Sequence, residues 1–154
     1  MKNLCLLALI FFSLPGCRKI DVFEKNVAIK NHEWASIVKP TISFNIEDTT
    51  SLYNIFIVLR HSDAYDFSNI WIRCTVLQPG ISTPRSQQYN LVLATNEKGW
   101  LGTGMDDIFE TRIPIQTNTK FTRVGNYRFI LEQIMREDPL QHVLNVGLRI
   151  EKTK

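Results

Sequence analysis

A period-two alternation of apolar and polar residues runs through most of this chain and predicts β-strands. The segment YNIFIVLR at 53–60 carries apolar residues on both faces, which is typical of a strand in the middle of a sheet. Stretches with glycine and proline, such as QPGISTPRS at 78–86, interrupt the pattern and predict turns. The alternation predicts about eight strands, near 19–25, 42–46, 53–60, 69–77, 89–93, 108–116, 125–135 and 143–152.

Helical periodicity is weak by comparison. The one segment that could be argued as a helix, LEQIMREDPLQHVL at 131–144, is interrupted by Pro139. About eight strands joined by glycine- and proline-bearing turns favour an all-β fold, a two-sheet antiparallel β-sandwich, over a βαβ architecture. A jelly-roll-like variant of the sandwich stays open.

The amino terminus has the pattern of an export signal. One lysine precedes an apolar run from Leu4 to Leu14, which is shorter than the ~20 residues that a membrane-spanning helix needs. The sequence LPGC at 14–17 is similar to a bacterial lipobox, in which the signal is cut before the cysteine and the cysteine is acylated. We therefore predict that Cys17 carries a lipid anchor, which is stable because two or three acyl chains are buried. The alternative is an ordinary cleaved signal with an unrelated cysteine beside it.

These features divide the chain into three parts. Residues 1–16 are the signal, residues 17–39 hold the lipidated terminus, a tether and a first strand that could come from 19–25, and residues 40–154 form the sandwich. The chain left after cleavage has the size of a single domain. Arg18 and Lys19 follow the cysteine, where acidic residues would favour surface export, so we expect a lipid-anchored outer-membrane protein that faces the periplasm.

Charge and cysteine content exclude several classes of protein. The full chain carries 18 Lys and Arg against 15 Asp and Glu, and its basic residues do not cluster with aromatic ones, so no nucleic-acid partner is predicted. With Cys5 lost in the signal and Cys17 acylated, Cys74 remains alone and has no intrachain disulfide partner. Cys74 lies in an apolar strand pattern, which predicts a buried and unreactive thiol.

No residue pattern predicts catalysis or metal binding, so we expect no enzymatic activity, no metal and no cofactor. His32, His61 and His142 lie far apart, and none has a second ligand at a zinc-like spacing. The segment RHSDAYD holds Ser, His and Asp, but adjacent residues on a strand point to opposite faces and do not form a triad. Asp106 and Asp107 follow glycines without the spacing of an EF-hand or a phosphate loop.

Three large apolar residues outside the long strand patterns are candidates either for contacting a partner or for capping the core: Trp34, Trp100 and Leu101. Trp100 and Leu101 lie in NEKGWLGTGMDD, where glycines permit unusual turns. If buried, these side chains close one end of the sandwich. If exposed, Trp34 and Trp100 could anchor a protein partner or form a platform on which a sugar stacks. A glycan-binding β-sandwich lipoprotein is therefore the alternative to a protein-interaction component.

Several short pieces, found in the same order along nearly the whole chain after Cys17, resemble one known family. The pieces are VFEKN at 22–26, Trp34, Tyr53-Asn54-Ile55 leading to Arg60, Tyr65 with Asn69-Ile70-Trp71, Trp100-Leu101-Gly102, and Met135-Arg136 ahead of Val146-Gly147-Leu148. Together they resemble the gliding motility lipoprotein GldH family.

This resemblance implies a lipid-anchored protein of the cell envelope that is needed for surface gliding. It implies partners among the envelope proteins that move adhesins and among those of the linked secretion apparatus. It implies no enzymatic activity and provides no catalytic residues, so the site residues proposed above rest on physical arguments alone. Relatives of this kind also occur in bacteria that do not glide.

Overall fold

The computed structural model describes residues 22–153, and the signal and Cys17 lie outside these residues. The strands, in chain order, are β1 (Val22–Ala28), β2 (Glu33–Trp34), β3 (Thr41–Ile46), β4 (Tyr53–Ser62), β5 (Asn69–Leu77), β6 (Arg85–Val92), β7 (Ala94–Thr95), β8 (Gly99–Trp100), β9 (Thr103–Met105), β10 (Ile108–Thr119), β11 (Gly125–Gln133), β12 (Leu140–Gln141) and β13 (Val143–Lys152). One short 3-10 helix, Lys30–His32, follows β1. Between residues 22 and 153 no helix is long and apolar enough to span a bilayer.

The strands form four antiparallel sheets. The largest has the order β1-β13-β4-β10-β9, the second has the order β3-β11-β5-β6, and the two small sheets are β12-β2 and β7-β8. The predicted all-β antiparallel fold is confirmed, and β4 is a central strand as its two apolar faces indicated. The prediction of about eight strands in two sheets is wrong. The eight strands of six or more residues match the predicted ones, but the five others have only two or three residues, which is too short for a period-two pattern.

The two larger sheets contribute one face each to a common hydrophobic core. Alternate residues of their long strands are buried in it, because side chains along a strand point to opposite faces. Its members include Tyr53, Ile55, Ile57 and Leu59 of β4, Ile70, Ile72 and Cys74 of β5, Tyr127, Phe129 and Leu131 of β11, and Val146, Leu148 and Ile150 of β13. The intervening residues of each strand therefore lie on outer faces.

The first strand belongs to the folded domain. β1 pairs with β13 in continuous register, from Val22 opposite Glu151 to Ala28 opposite Asn145. Gly147 makes this close pairing possible, because a Cβ atom there would lie 2.7 Å from the carbonyl oxygen of Lys25. The segment 17–39 was predicted to contain a tether and a first strand. Since β1 begins at Val22, only the residues before Val22 remain for the tether.

Candidate interaction site

The most exposed aromatic ring on the second sheet is the indole of Trp71, with 41% of its surface accessible. Trp71 lies on β5 between Ile70 and Ile72, which both point into the core, so the pleat turns the indole outward. Beside it on the same face, the Asn69 Nδ2 amide donates a 2.6 Å hydrogen bond to Asn90 Oδ1. A flat apolar ring and paired amides thus share one outer surface.

The segment that follows β11 forms a wall beside Trp71. The Ile134 backbone N–H donates to the Trp71 carbonyl oxygen at 3.0 Å, and the Trp71 N–H donates to the Met135 sulfur at 3.3 Å. The thioether of Met135 therefore occupies the place of a backbone acceptor at the end of the strand pairing. These two bonds fix residues 134 and 135 against the strand that carries the indole.

Gln133 holds this wall from the inside. Its side chain is fully buried, and its Oε1 accepts a 2.8 Å hydrogen bond from the Met135 N–H. Its Nε2 donates to the carbonyl oxygens of Trp34 at 3.2 Å and of Glu137 at 3.4 Å. A buried amide that satisfies three backbone groups is expected to rigidify the loop around it.

These elements enclose a surface groove of about 440 Å³. Its lining combines an indole, a phenyl ring, a thioether, amides and a guanidinium, and contains no carboxylate, thiol or imidazole. The lining residues are Phe67, Asn69, Trp71, Gln88, Ile134, Met135 and Arg136. Such a set suits recognition of a partner by stacking, apolar contact and hydrogen bonding.

Charged side chains of both signs lie near the groove. Glu132 forms ion pairs with Lys39 and Arg73, each at 2.9 Å, and these two cations lower the pKa of the Glu132 carboxyl, although burial acts in the opposite direction. Arg136 is exposed at the groove and has no ion pair among the described residues. Its guanidinium is therefore available to a carboxylate or another acceptor on a partner.

The structure places Trp100 at the end of β8 and Leu101 directly after it. The Trp100 indole is half-buried and packs in an aromatic cluster, with ring centres 4.6 Å from His61 and 6.0 Å from Phe109. The Leu101 N–H donates to the Leu93 carbonyl at 2.7 Å, and the Leu101 carbonyl accepts from the Thr111 hydroxyl at 3.0 Å. The loop that carries both residues is thus bonded to its neighbours on two sides.

His61 belongs to this cluster and is fully buried. Its Nδ1 lies 2.8 Å from the Ser62 carbonyl, but its Nε2 has no hydrogen-bond partner among the described residues. Burial lowers the pKa of the His61 imidazole, partly offset by the bond to Ser62, so the ring is neutral at pH 7. A neutral ring is consistent with packing against aromatic side chains.

Trp34 is fully buried in the core. Its indole N–H donates to the Val38 carbonyl at 2.8 Å, and its strand pairs with Leu140 of β12. An enclosed indole presents no face to a ligand, so Trp34 and Trp100 do not form a shared platform for a sugar. Trp34 is therefore a member of the core, whereas Trp100 packs against it from outside.

The predicted burial of Cys74 is confirmed, since only 3% of this residue is accessible. Burial raises the pKa of its thiol to about 12, which leaves almost no thiolate at neutral pH. Within residues 22–153, no three His, Cys, Asp or Glu side chains come together in a way that could hold a metal ion.

Comparison with known proteins assigns the chain to a family. The family model described as GldH lipoprotein matches residues 21–150. The chain belongs to the GldH lipoprotein family. The matched range includes every residue that lines the Trp71 groove, and it includes both Trp34 and Trp100.

Two named relatives match almost end to end. The gliding motility lipoprotein GldH homolog of Christiangramia forsetii is 29% identical over 153 residues, which cover 94% of this chain and 91% of that protein. The gliding motility lipoprotein GldH of Flavobacterium johnsoniae is 27% identical over 160 residues, which cover 99% and 98% of the two chains.

Among solved structures, the VP2 subviral particle of infectious bursal disease virus matches with a TM-score of 0.36 and 15% identity. This match covers 84% of the present chain and about a third, 32%, of the viral chain.

The Trp71 groove was not predicted from the sequence as a site. The alternation in NIWIRCTVL places Trp71 on the face opposite Ile72, which was the available signal for an outward indole. Two of the pieces that carried the resemblance to the GldH family, Asn69-Ile70-Trp71 and Met135-Arg136, meet in this groove although 64 residues separate Trp71 from Met135.

Proposed function

We propose that this chain is a noncatalytic envelope lipoprotein, anchored through Cys17, that acts as a protein-interaction component of the gliding motility and linked secretion machinery. The observation that carries the proposal is the groove around Trp71 on the fold of a GldH family member. An exposed tryptophan beside a thioether and an unpaired arginine has the composition of a binding hot spot. The relatives are named gliding motility lipoproteins, which supports the choice of machinery.

The test of the groove is the replacement Trp71→Ala in the full-length lipoprotein. We expect the recovery of envelope proteins that copurify from detergent-solubilised membranes to fall at least about tenfold, because truncating a hot spot costs ~2 kcal/mol or more. The fold should persist, because the indole is largely outside the core. Quantitative mass spectrometry of the copurified proteins provides the measurement.

Met105→Ala is the matched control, since Met105 is 78% exposed on β9 and does not line the groove. Equal recovery by wild type, Trp71→Ala and Met105→Ala would show that the groove is not the contact. If wild type recovers no envelope protein and a deletion strain still glides and secretes, the proposed role is rejected.

The anchor is tested separately with Cys17→Ala. This variant is expected to fold, because Cys17 precedes the first strand, but to lose its lipid and move to the soluble fraction. Metabolic labelling with a radioactive fatty acid measures the attachment directly. Label retained by Cys17→Ala would place the anchor elsewhere in the chain. Fractionation of the wild-type protein tests the further expectation of an outer-membrane location facing the periplasm.

A second candidate function, binding of an envelope glycan, is favoured by the amides that flank Trp71. A pyranose ring stacks on an exposed indole while neighbouring amides bond its hydroxyl groups, and Asn69, Asn90 and Gln88 lie on the same outer face. A glycan array that shows binding by the wild type, lost in Trp71→Ala, would favour this function over protein binding.

A further inference from the structure

The outer edges of the two larger sheets differ in how they are protected from pairing with another chain. Exposed edge strands are usually shortened, charged, bulged or interrupted by proline. β9 has only three residues, and β1 carries adjacent charges at Glu24 and Lys25. β3 has six residues and directly follows Pro40. β9 covers β10 only at residues 108–110, and the rest of β10 contains Pro114 and two register shifts.

β6 is the longest of these outer edge strands and shares one of these protections, since Pro84 directly precedes it. It has eight residues, pairs with β5 without a register shift, and contains neither proline nor lysine. Its one charged residue, Arg85, stands at its first position. In the described part of the chain its other edge pairs with no strand, so a row of backbone N–H and C=O groups is open along that side.

A crevice opens beside this edge, between β6 and β10. Its volume is about 450 Å³. Its lining is mixed: Cys74 and Val76 of β5, Phe129 of β11 and Ile115 of β10 are apolar, whereas Ser86 of β6 and Gln116 of β10 are polar. The side of β6 that borders it carries Arg85, Gln87 and Tyr89. The crevice therefore reaches the margin of the core, where Cys74 and Phe129 themselves remain buried.

We propose that β6 pairs with an extended segment of a partner protein, and that alternate aliphatic side chains of this segment fill the crevice. The inference rests on the proposed role as a protein-interaction component and names the form of the partner. A strand added to β6 would bond its open backbone groups, and every second side chain would point over the crevice. The segment thus has a period-two pattern of aliphatic residues.

The chemistry of the crevice distinguishes this partner from a second copy of the chain. In a pairing of two β6 strands, the side chains above each crevice would be Arg85, Gln87 and Tyr89 of the other copy. These polar and bulky groups are poor fillers of the apolar part of the lining. Arg85 at the end of the crevice makes no ion pair among residues 22–153, and it suits a carboxylate at one end of the partner segment.

The test is photo-crosslinking in living cells of the bacterium that encodes the chain. The photoreactive residue p-benzoylphenylalanine replaces Arg85, Gln87 or Tyr89, one at a time, in the full-length lipoprotein. We expect all three positions to crosslink to one segment of another protein. Each shift of two residues along β6 should shift the crosslinked residue of the partner by two. The matched control is the same replacement of Asn45, an exposed residue of β3 at the opposite edge of the sheet.

A side-chain variant checks the same contact. Gln87→Lys places an ammonium over the crevice and is expected to lower the crosslink from position 89 about tenfold, because an added strand would bury that charge. Asn45→Lys should leave the amount of crosslink from position 89 unchanged.

Several outcomes would overturn the inference. These are crosslinks no stronger than those from position 45, crosslinks to a second copy of this chain, or attachment points scattered without a period of two. The photoreactive residue in place of Arg136 separates the two proposals. If position 136 captures an envelope protein and the β6 positions do not, the strand pairing is wrong and the groove remains a contact. If neither does, both proposals fail.

Discussion

Replacing Trp34 by alanine is expected to lower the free energy of unfolding by about 3–5 kcal/mol. The indole is fully buried, and its N–H is bonded to the Val38 carbonyl. The truncation would open a cavity, because the two-residue pairing of β2 with β12 is too short to close around it. It would also leave the Val38 carbonyl without its hydrogen-bond donor. Urea denaturation of the folded domain measures the loss.

Trp71→Ala is the matched control for this experiment, because it removes the same side chain from an exposed position. We expect its free energy of unfolding to stay much closer to that of the wild type. Trp34→Phe should fall between the two, since it keeps an aromatic ring and loses the hydrogen bond. Similar stabilities for Trp34→Ala and Trp71→Ala would contradict the placement of Trp34 in the core.

Gln133→Met is expected to destabilise the domain by about 2–4 kcal/mol, because each buried group left unpaired costs about 1–3 kcal/mol. Methionine has nearly the length of glutamine, so the loss comes from hydrogen bonds rather than from a cavity. The groups that lose this partner are the Met135 N–H and the carbonyls of Trp34 and Glu137. Hydrogen exchange at residues 134–138 should quicken, because Gln133 holds this segment.

The control for Gln133→Met is Gln88→Met, which makes the same change at an exposed position on β6. That variant is expected to leave both stability and hydrogen exchange at 134–138 nearly unchanged. If Gln133→Met also leaves the exchange at 134–138 unchanged, the wall of the groove is held by its two hydrogen bonds to Trp71 alone.

The sequence predicts the long strands well because their alternation reflects burial of one face. In β4, Tyr53, Ile55 and Ile57 alternate in the chain and are buried together. The same alternation places Val58 on the outer face, yet Val58 is buried. It lies opposite Arg112, which pairs with Glu24 and Glu110. Coverage by ion-paired side chains from other strands is a property of the assembled sheet, which local periodicity does not record.

The short strands and the groove could not be predicted from the sequence, for a related reason. Trp34 stands in a polar stretch, and its burial depends on Leu140 and Gln133, which lie about a hundred residues further along the chain. The groove likewise needs Met135 beside Trp71. Such neighbours are fixed by strand pairing across the fold, whereas alternation reports only which face of a strand is apolar. The outward direction of Trp71 could be predicted, but its surroundings could not.

The pairing of β1 with β13 gives the domain a preferred direction of mechanical resistance. With a lipid on Cys17, as proposed, the stretch from Cys17 to Val22 spans at most ~18 Å, so a pulling force reaches β1 almost directly. A pull along the strand loads the whole ladder from Val22–Glu151 to Ala28–Asn145 in shear, so its bonds share the force. A pull across the sheet would unzip the ladder pair by pair, beginning at Val22. A protein held this way withstands drag parallel to its first strand far better than lift away from it.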